Sequence, residues 1–432
     1  MRYRYRSEDE LKDSGVEWLG KIPKDWNTPK ISSIIETLTD YVANGSFESL
    51  AKNVNYLSEE DYAILIRTQD NSNGFKGPFV YIDEKAYNFL SKSKVYPNDI
   101  IISNVGAVGN VFKAPNLHKP MSLAPNSILI RTTQNNQYIY YLLQSAFSQE
   151  EIRNIVSSTA QPKFNKTNFK GIKTIIPNQI EQEKIANFLD EKTSQFDLII
   201  SKKEKLIERL EEAKKSLISE VVTGKVKVVK TDDGYELVKR KRDEMKDSGV
   251  EWLGEIPKDW NITKLKYIGE AITGLTYSPN DIVGENEGTL VLRSSNVQNG
   301  RIVLNDNVYV NMDIPKKLIT REGDIIICSR NGSRALIGKN ACIRRKDAGK
   351  SFGAFMTIFR SRYYEYLNFV FNSHIFKAQS GSFLTSTINQ LTIGNLNSFI
   401  IALPNEKEQD IIVKYLCNKT LKYNSIIDKL KG

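Results

Sequence analysis

Residues 12–27 read KDSGVEWLGKIPKDWN, and residues 246–261 read KDSGVEWLGEIPKDWN. Only Lys21 against Glu255 differs. Internal repetition of this kind decides the architecture before any other feature does. A second pair follows downstream: Pro177-Asn178 with Glu181-Gln182 matches Pro404-Asn405 with Glu408-Gln409. That match runs on through Ile185/Ile412, Leu189/Leu416 and Lys192-Thr193/Lys419-Thr420. Fainter echoes lie between the two pairs. Leu65-Ile66-Arg67 parallels Val291-Leu292-Arg293, and Asn98 to Ile102 parallels Gly323 to Ile327. The chain therefore reads as two copies of one unit: a fixed lead-in, a divergent module and a fixed helical segment. The boundaries fall at 1–26 (lead-in), 27–178 (first module), 179–224 (central helix), 225–260 (linker and second lead-in), 261–404 (second module) and 405–432 (C-terminal helix). Drift alone would have acted on the lead-ins too, so fixed frames around divergent centres point to one scaffold presenting two binding surfaces.

The central segment Gln179–Val222 holds neither Pro nor Gly over its 44 residues and stops at Thr223-Gly224-Lys225, a glycine stop signal. A heptad fits it, with Ile185, Ile199 and Leu206 on one seam position and Leu189, Phe196, Leu210 and Leu217 on the other. Lys192 and Lys203 interrupt the stripe. Such a helix spans about 66 Å. The expected partner is its repeat mate, which carries Ile412, Leu416 and Ile426, with the two copies antiparallel. A helix packed only on its own module is the alternative. The second copy has no equivalent of residues 205–224 before Gly432, which predicts weaker assembly on one side.

Short β-branched runs fill both modules, at 62–67, 99–103, 127–131, 289–293, 324–329 and 356–359, separated by Gly, Asn and Ser turns. Each module also has a helix-like stretch, 138–156 and 363–378. The fold class expected is α+β: two mixed domains on curved sheets, separated by long coiled-coil-like helices in a pseudo-twofold repeat.

Net charge is +10, from 61 basic and 51 acidic residues. The first module has 15 basic and 12 acidic residues, and the second has 17 and 10. The excess thus sits in the modules, which points to a polyanion partner. Residues 330–334, Arg-Asn-Gly-Ser-Arg, form a turn whose side chains suit guanine and adenine edges. Basic, amide and aromatic side chains near strand ends are the candidates for DNA contact. In the first module these are Arg67, Lys76, Asn104, Arg131, Lys163 and Asn165. In the second they are Tyr277, Arg293, Asn296, Arg330, Asn331 and Arg334, then Arg344, Arg345 and Lys346, and finally Asn389 and Gln390.

Other chemistry is hard to find. No Gly-x-Gly-x-x-Gly loop occurs, and Gly349-Lys350-Ser351 fails as a phosphate loop because Arg344 stands where its first Gly belongs. Three cysteines and two histidines give no zinc or disulfide framework and no convincing metal-carboxylate cluster. No apolar run is long enough to span a bilayer, and the charged N-terminus does not read as a signal peptide. The expectation is a cytoplasmic, non-catalytic protein with no metal, no cofactor and no membrane partner. A self-contained nuclease or methyltransferase, and a scaffold binding other proteins, are the competing readings.

Three motifs carry a resemblance: Gly-Val-Glu-Trp-Leu-Gly-x-Ile-Pro-Lys-Asp-Trp, Pro-Asn-x-x-Glu-Gln, and residues 217–225, LISEVVTGK. With their order along the whole chain, they resemble the specificity subunit of type I restriction-modification systems. The resemblance implies that each module is a target recognition domain reading half of a split double-stranded DNA sequence. It further implies that the helices set the half-site spacing and dock two methyltransferase subunits, which restriction subunits join. S-adenosylmethionine would then bind the methyltransferase subunits.

Overall fold

The computed structural model describes residues 4–16, 19–157, 161–285, 287–382 and 389–432. It divides into two compact units, Met1–Ile199 and Ile200–Gly432, and the helix Gln179–Val222 runs across the division.

In the first unit an antiparallel sheet has the order Ile35–Asp40, Ser127–Thr132, Ile100–Ser103, Val111–Lys113. A second sheet has the order Val80–Ile82, Ala63–Ile66, Met121–Leu123, Lys94–Val95, with its middle pair parallel. The run Ile100-Ile101-Ile102 explains how the layers stack. Successive strand residues face opposite sides. Ile100 and Ile102 pack with Tyr138, Leu143 and Phe169 in the helical layer. Ile101 packs with Ile64, Ile66 and Leu123 of the second sheet. A strand covered on both faces has no polar side to show, hence three isoleucines in a row.

The second unit repeats this plan. Its main sheet has the order Glu270–Thr273, Met356–Arg360, Ile325–Cys328, Asn340–Cys342. Thr289–Leu292 pairs in parallel with Ser351–Phe352 in its second sheet. Ile325 and Ile327 face the helices, and Ile326 faces the second sheet. One end of each main sheet is clamped by an ion pair to a nearly buried aspartate. Arg131 meets Asp99 at 2.7 and 2.9 Å, and Arg360 meets Asp324 at 2.7 and 2.8 Å. These hydrogen bonds are the largest cause raising both guanidinium pKa values, so the arginines are charged at every working pH.

The two fixed motifs turn out to be halves of one joint. Asn178 accepts from the Glu181 amide at 3.0 Å, starting the helix. The Glu181 carboxylate then accepts the indole N–H of Trp26 at 2.9 Å and a bond from Arg6. Gln182 donates back to the Pro177 carbonyl at 2.9 Å. In the second unit Asn405, Glu408, Trp260, Arg240, Gln409 and Pro404 make the same set. A lead-in and a helix start are thus joined twice by the same side chains.

The second joint is the more enclosed, because the end of the long helix packs there. Ile218, Val221 and Val222 share a core with Leu253, Ile256 and Trp260. The Tyr366 hydroxyl donates to the carbonyls of Val222 and Ala402, each at 3.0 Å. Lys225 N–H returns to Glu220 O at 3.0 Å, with Gly224 at φ +71°, the hydrogen bond of a Schellman stop. A Cβ on Gly224 would lie 2.4 Å from the Pro257 ring, so glycine is required by space as well as by conformation.

Three expectations are corrected. Each helix-like stretch is two helices: Asn136–Gln144 and Ala146–Asn154, then Tyr364–Phe371 and His374–Ser382. Ser145 breaks the first pair by adopting extended backbone and capping the following helix. The heptad seam is only partly covered. Ile185 and Leu189 are half-buried at the start, and Leu210 and Leu217 near the end, but Phe196 is 62% exposed and Ile199 and Leu206 are also exposed. On the C-terminal helix Glu406–Lys431, Ile412 and Leu416 are buried, whereas Ile426 is exposed and Ile427 takes the inward place. Within the second unit the helices do run antiparallel: Ile218 to Val222 share their core with Ile412, Tyr415 and Leu416, and Lys214 reaches forward to Asn424 at 3.1 Å. Finally, the linker contains an unforeseen hairpin, Val226–Thr231 with Gly234–Lys239, whose Tyr235 packs against Tyr415.

The joints make an unequal pair. The Arg240 side chain is 4% exposed and that of Arg6 is 36% exposed. Glu408→Ala strands a buried charge and is expected to cost about 3 kcal/mol or more. Glu181→Ala is expected to cost less than about 1 kcal/mol through its half-exposed pair with Arg6. Calorimetry of the full chain checks this order. The same measurement on Gly224→Ala should show a loss exceeding that of Gly254→Ala. Gly254 shares the left-handed conformation, but a Cβ there meets nothing within 4 Å.

Candidate nucleic-acid interface

The clamped end of each main sheet carries Asp99 or Asp324. The opposite end carries a cluster of loops, built alike in both modules. In the first module the strand Ile100–Ser103 runs into Asn104. The Asn104 N–H donates to Asn126 O at 3.1 Å, and its carbonyl accepts from Phe164 N at 3.1 Å. Gly106 N–H reaches Pro162 O at 3.2 Å, and Val105 bridges Lys163. The second sheet joins at the same place, where Thr68 and Ser103 hydroxyls lie 2.6 Å apart. Two adjoining cavities of about 620 and 390 Å³ open here, sharing Tyr56, Val105, Pro125 and Asn126 in their walls.

In the second module the strand Ile325–Cys328 runs into Ser329 and Arg330, whose N–H groups both donate to Phe355 O, at 3.0 and 3.1 Å. Leu391 N–H donates to Ser329 O at 2.7 Å, and Asn331 N–H to Asn389 O at 3.4 Å. Arg330 bridges Gln390, and the Asn389 amide donates to Gly332 O at 3.1 Å. From the second sheet, Ser294 accepts from Asn331 at 3.4 Å and, through its carbonyl, from Lys339 at 3.2 Å. Arg334 donates to Gly381 O at 3.4 Å.

The structure thus brings together Asn104, Lys163 and Asn165 in one module, and Arg330, Asn331, Arg334, Asn389 and Gln390 in the other. Asn165 spends its side-chain oxygen on a helix cap, 2.8 Å from Asn168 N. Arg67 sits beside its cluster but is tied to buried Asp70 at 2.6 Å and to Pro78 O at 3.0 Å. Lys76 is exposed on the turn leading to Pro78. Arg293, the counterpart of Arg67, is held by Asp306 at 2.7 Å.

Other candidates belong elsewhere. Asn296 is fully buried, accepting from Arg293 N and donating to Val303 O, Asn305 O and Asn307 Oδ1, so it stabilises a turn and reaches no ligand. Arg131 works in the clamp at the far end of its sheet. Arg344, Arg345 and Lys346 are exposed but follow the strand Asn340–Cys342 at its Asp324 end, away from Arg330. Tyr277 is the exception, half-buried against the core of its module and beside Gly353 in the turn that carries Phe355. Sequence reasoning did not single out Phe355, Tyr56 and Phe47, which also stand at these clusters. Phe355 is 57% exposed beneath Arg330, and its signal was an aromatic in the Gly353-Ala354-Phe355 turn before a strand. Asn126, at φ +71°, holds the corresponding turn in the first module.

Asn296→Ala is expected to lower stability by about 2 kcal/mol by stranding buried backbone groups. A joint Arg344→Ala, Arg345→Ala and Lys346→Ala change should stay within about 0.5 kcal/mol of the parent per site. Denaturant titration distinguishes the two.

Among the described residues no helix is long and apolar enough to cross a membrane, and no group of three or more His, Cys, Asp or Glu is placed to hold a metal. The family model described as type I restriction modification DNA specificity domain matches residues 23–211 and 257–430. A protein of Methanocaldococcus jannaschii named as the MjaX type I restriction enzyme specificity subunit is 27% identical, over 92% of this chain and 87% of its own. The EcoKI specificity subunit of Escherichia coli is 22% identical, over 91% and 82%. A solved chain from work on complex assembly and conformational transition of the type I R-M system shares the fold at a TM-score of 0.61, with 14% identity over 95% of this chain and 93% of that one. With its two recognition domains framed by the same joint, this chain belongs to the type I restriction-modification DNA specificity family, whose members recognise the target and are not themselves catalytic.

Proposed function

We propose that the chain directs a type I restriction-modification assembly to a bipartite duplex target, each module reading one half. The observation that carries this is the duplicated loop cluster: one scaffold, the same backbone bonds, different side chains at the exposed positions. Lysine and arginine contacts to phosphate supply affinity, and side chains of the loops supply sequence. The long helix sets the distance between half-sites. Two methyltransferase subunits dock on the helices, and restriction subunits complete the complex. The chain needs no cofactor, S-adenosylmethionine being held by the methyltransferase subunits, and it works in the cytoplasm.

Methylome sequencing of a host carrying the intact system tests this directly. The expected result is one asymmetric motif of two half-sites at fixed spacing. A second arm tests the spacer. Inserting four helix-forming residues after Gln195, in the exposed stretch, lengthens a helix by about 6 Å. The half-sites should persist while their separation grows by roughly one or two base pairs, at about 3.4 Å each. Unchanged spacing, or an unsplit motif, overturns the reading.

A further inference from the structure

The two loop clusters occupy equivalent places, and they differ in chemistry. In the first module the loop reads Ser103-Asn104-Val105-Gly106-Ala107-Val108-Gly109-Asn110, with no charge. In the second, residues 329–340 read SRNGSRALIGKN and carry Arg330, Arg334 and Lys339. The modules differ by four in net charge, two from added basic residues and two from fewer acidic ones, and this loop alone is more basic by three. Asn104 and Ser329 hold the same position, each donating its N–H to the turn before the neighbouring strand, at Asn126 O or Phe355 O. Arg330 therefore stands where the first module has Val105, and each of these two bridges the returning loop, at Gln390 or Lys163.

The polar side chains nearest this position are held differently in the two modules. The Asn104 amide points inward, donating to Phe164 O at 3.3 Å, with its oxygen buried. Arg330 points outward, its guanidinium 5.2 Å from the centre of the exposed Phe355 ring. Among the described residues it has no carboxylate partner, unlike Arg67, Arg131, Arg293 and Arg360. An arginine resting on an aromatic face has its plane and direction set in advance, while its donors stay open. Such a fork matches two acceptors side by side in one plane. In a major groove only guanine offers that pair, O6 with N7.

We infer that Arg330, steadied on Phe355, reads a guanine in the half-site of the second module, and that the first module has no equivalent contact. This rests on the DNA-reading function above and names the residue and base class behind one part of it. The alternative role for such an arginine is a phosphate contact, which carries no base preference. The test is selection from a randomised duplex pool by the full chain, as parent, Arg330→Ala and Phe355→Ala. The parent should enrich two half-sites. Arg330→Ala should lose preference for guanine at a single position of one half-site, by about 10- to 100-fold, with the other half-site unchanged. Phe355→Ala should weaken preference at that same position by a smaller factor. Full retention of the motif by Arg330→Ala would assign the arginine to phosphate and overturn the proposal. So would relaxation at a base pair other than G·C, or loss spread evenly over both half-sites. A parent that enriches no motif would overturn the DNA-reading function itself, a result distinct from any of these.

Discussion

The structure depends on one carboxylate used twice. Glu181 and Glu408 sit in the first turn of their helices, where the unpaired amide groups and the helix dipole already favour negative charge. Each receives a tryptophan indole and an arginine from a lead-in. A lead-in of only a few short elements cannot hold a helix by apolar area alone. It does so here with a directional set of bonds whose every member has a fixed length and angle. That explains why the lead-ins are nearly identical while the modules diverge: a joint made of specific donors and acceptors tolerates no drift, whereas a module needs only to keep its core.

The same reasoning separates what was legible in the sequence from what was not. The long helix was readable to the residue because its stop is a local event, a glycine in a left-handed turn. Isoleucine triplets marked the central strands because a strand covered on both faces must be apolar throughout. The break at Ser145 was not readable, since a serine is tolerated inside a helix as well as at its cap, and packing chooses between them. The heptad seam misled for a different reason. A repeat of apolar positions says which side chains share a face, but not whether anything covers that face. Ile426 and Ile427 show the limit: adjacent isoleucines fit either assignment, and only the neighbouring helix selects one.

The residues nominated from the sequence are only partly brought together by the fold. Arginines were the strongest signal, yet three of the seven nominated are held by aspartates. Arg131 clamps one end of the inner strands against a nearly buried aspartate, and Arg67 and Arg293 are tied down beside the loops. The distinction lies in the partner. An arginine paired with a carboxylate has its fork held in place and fewer of its five donors to offer, while one with no acid nearby keeps them all. Sequence shows the arginine but not which aspartate folds back onto it, because Asp99 and Arg131 are distant along the chain. The pattern does become visible through the repeat, since Asp324 and Arg360 recur at matching positions, and two occurrences of a pair argue for a scaffold role.

The asymmetry in charge between the modules follows from this division. Scaffold arginines recur in both modules with their acids and so add nothing to the difference. What differs is concentrated in loops that the scaffold holds in equivalent places but whose exposed side chains it does not dictate. A fold of this kind separates two demands that usually conflict. The clamp, the isoleucine layers and the joint hold the loop ends in place, so the residues between them are free to change without cost to the core. Net charge can then vary from module to module while the scaffold stays the same.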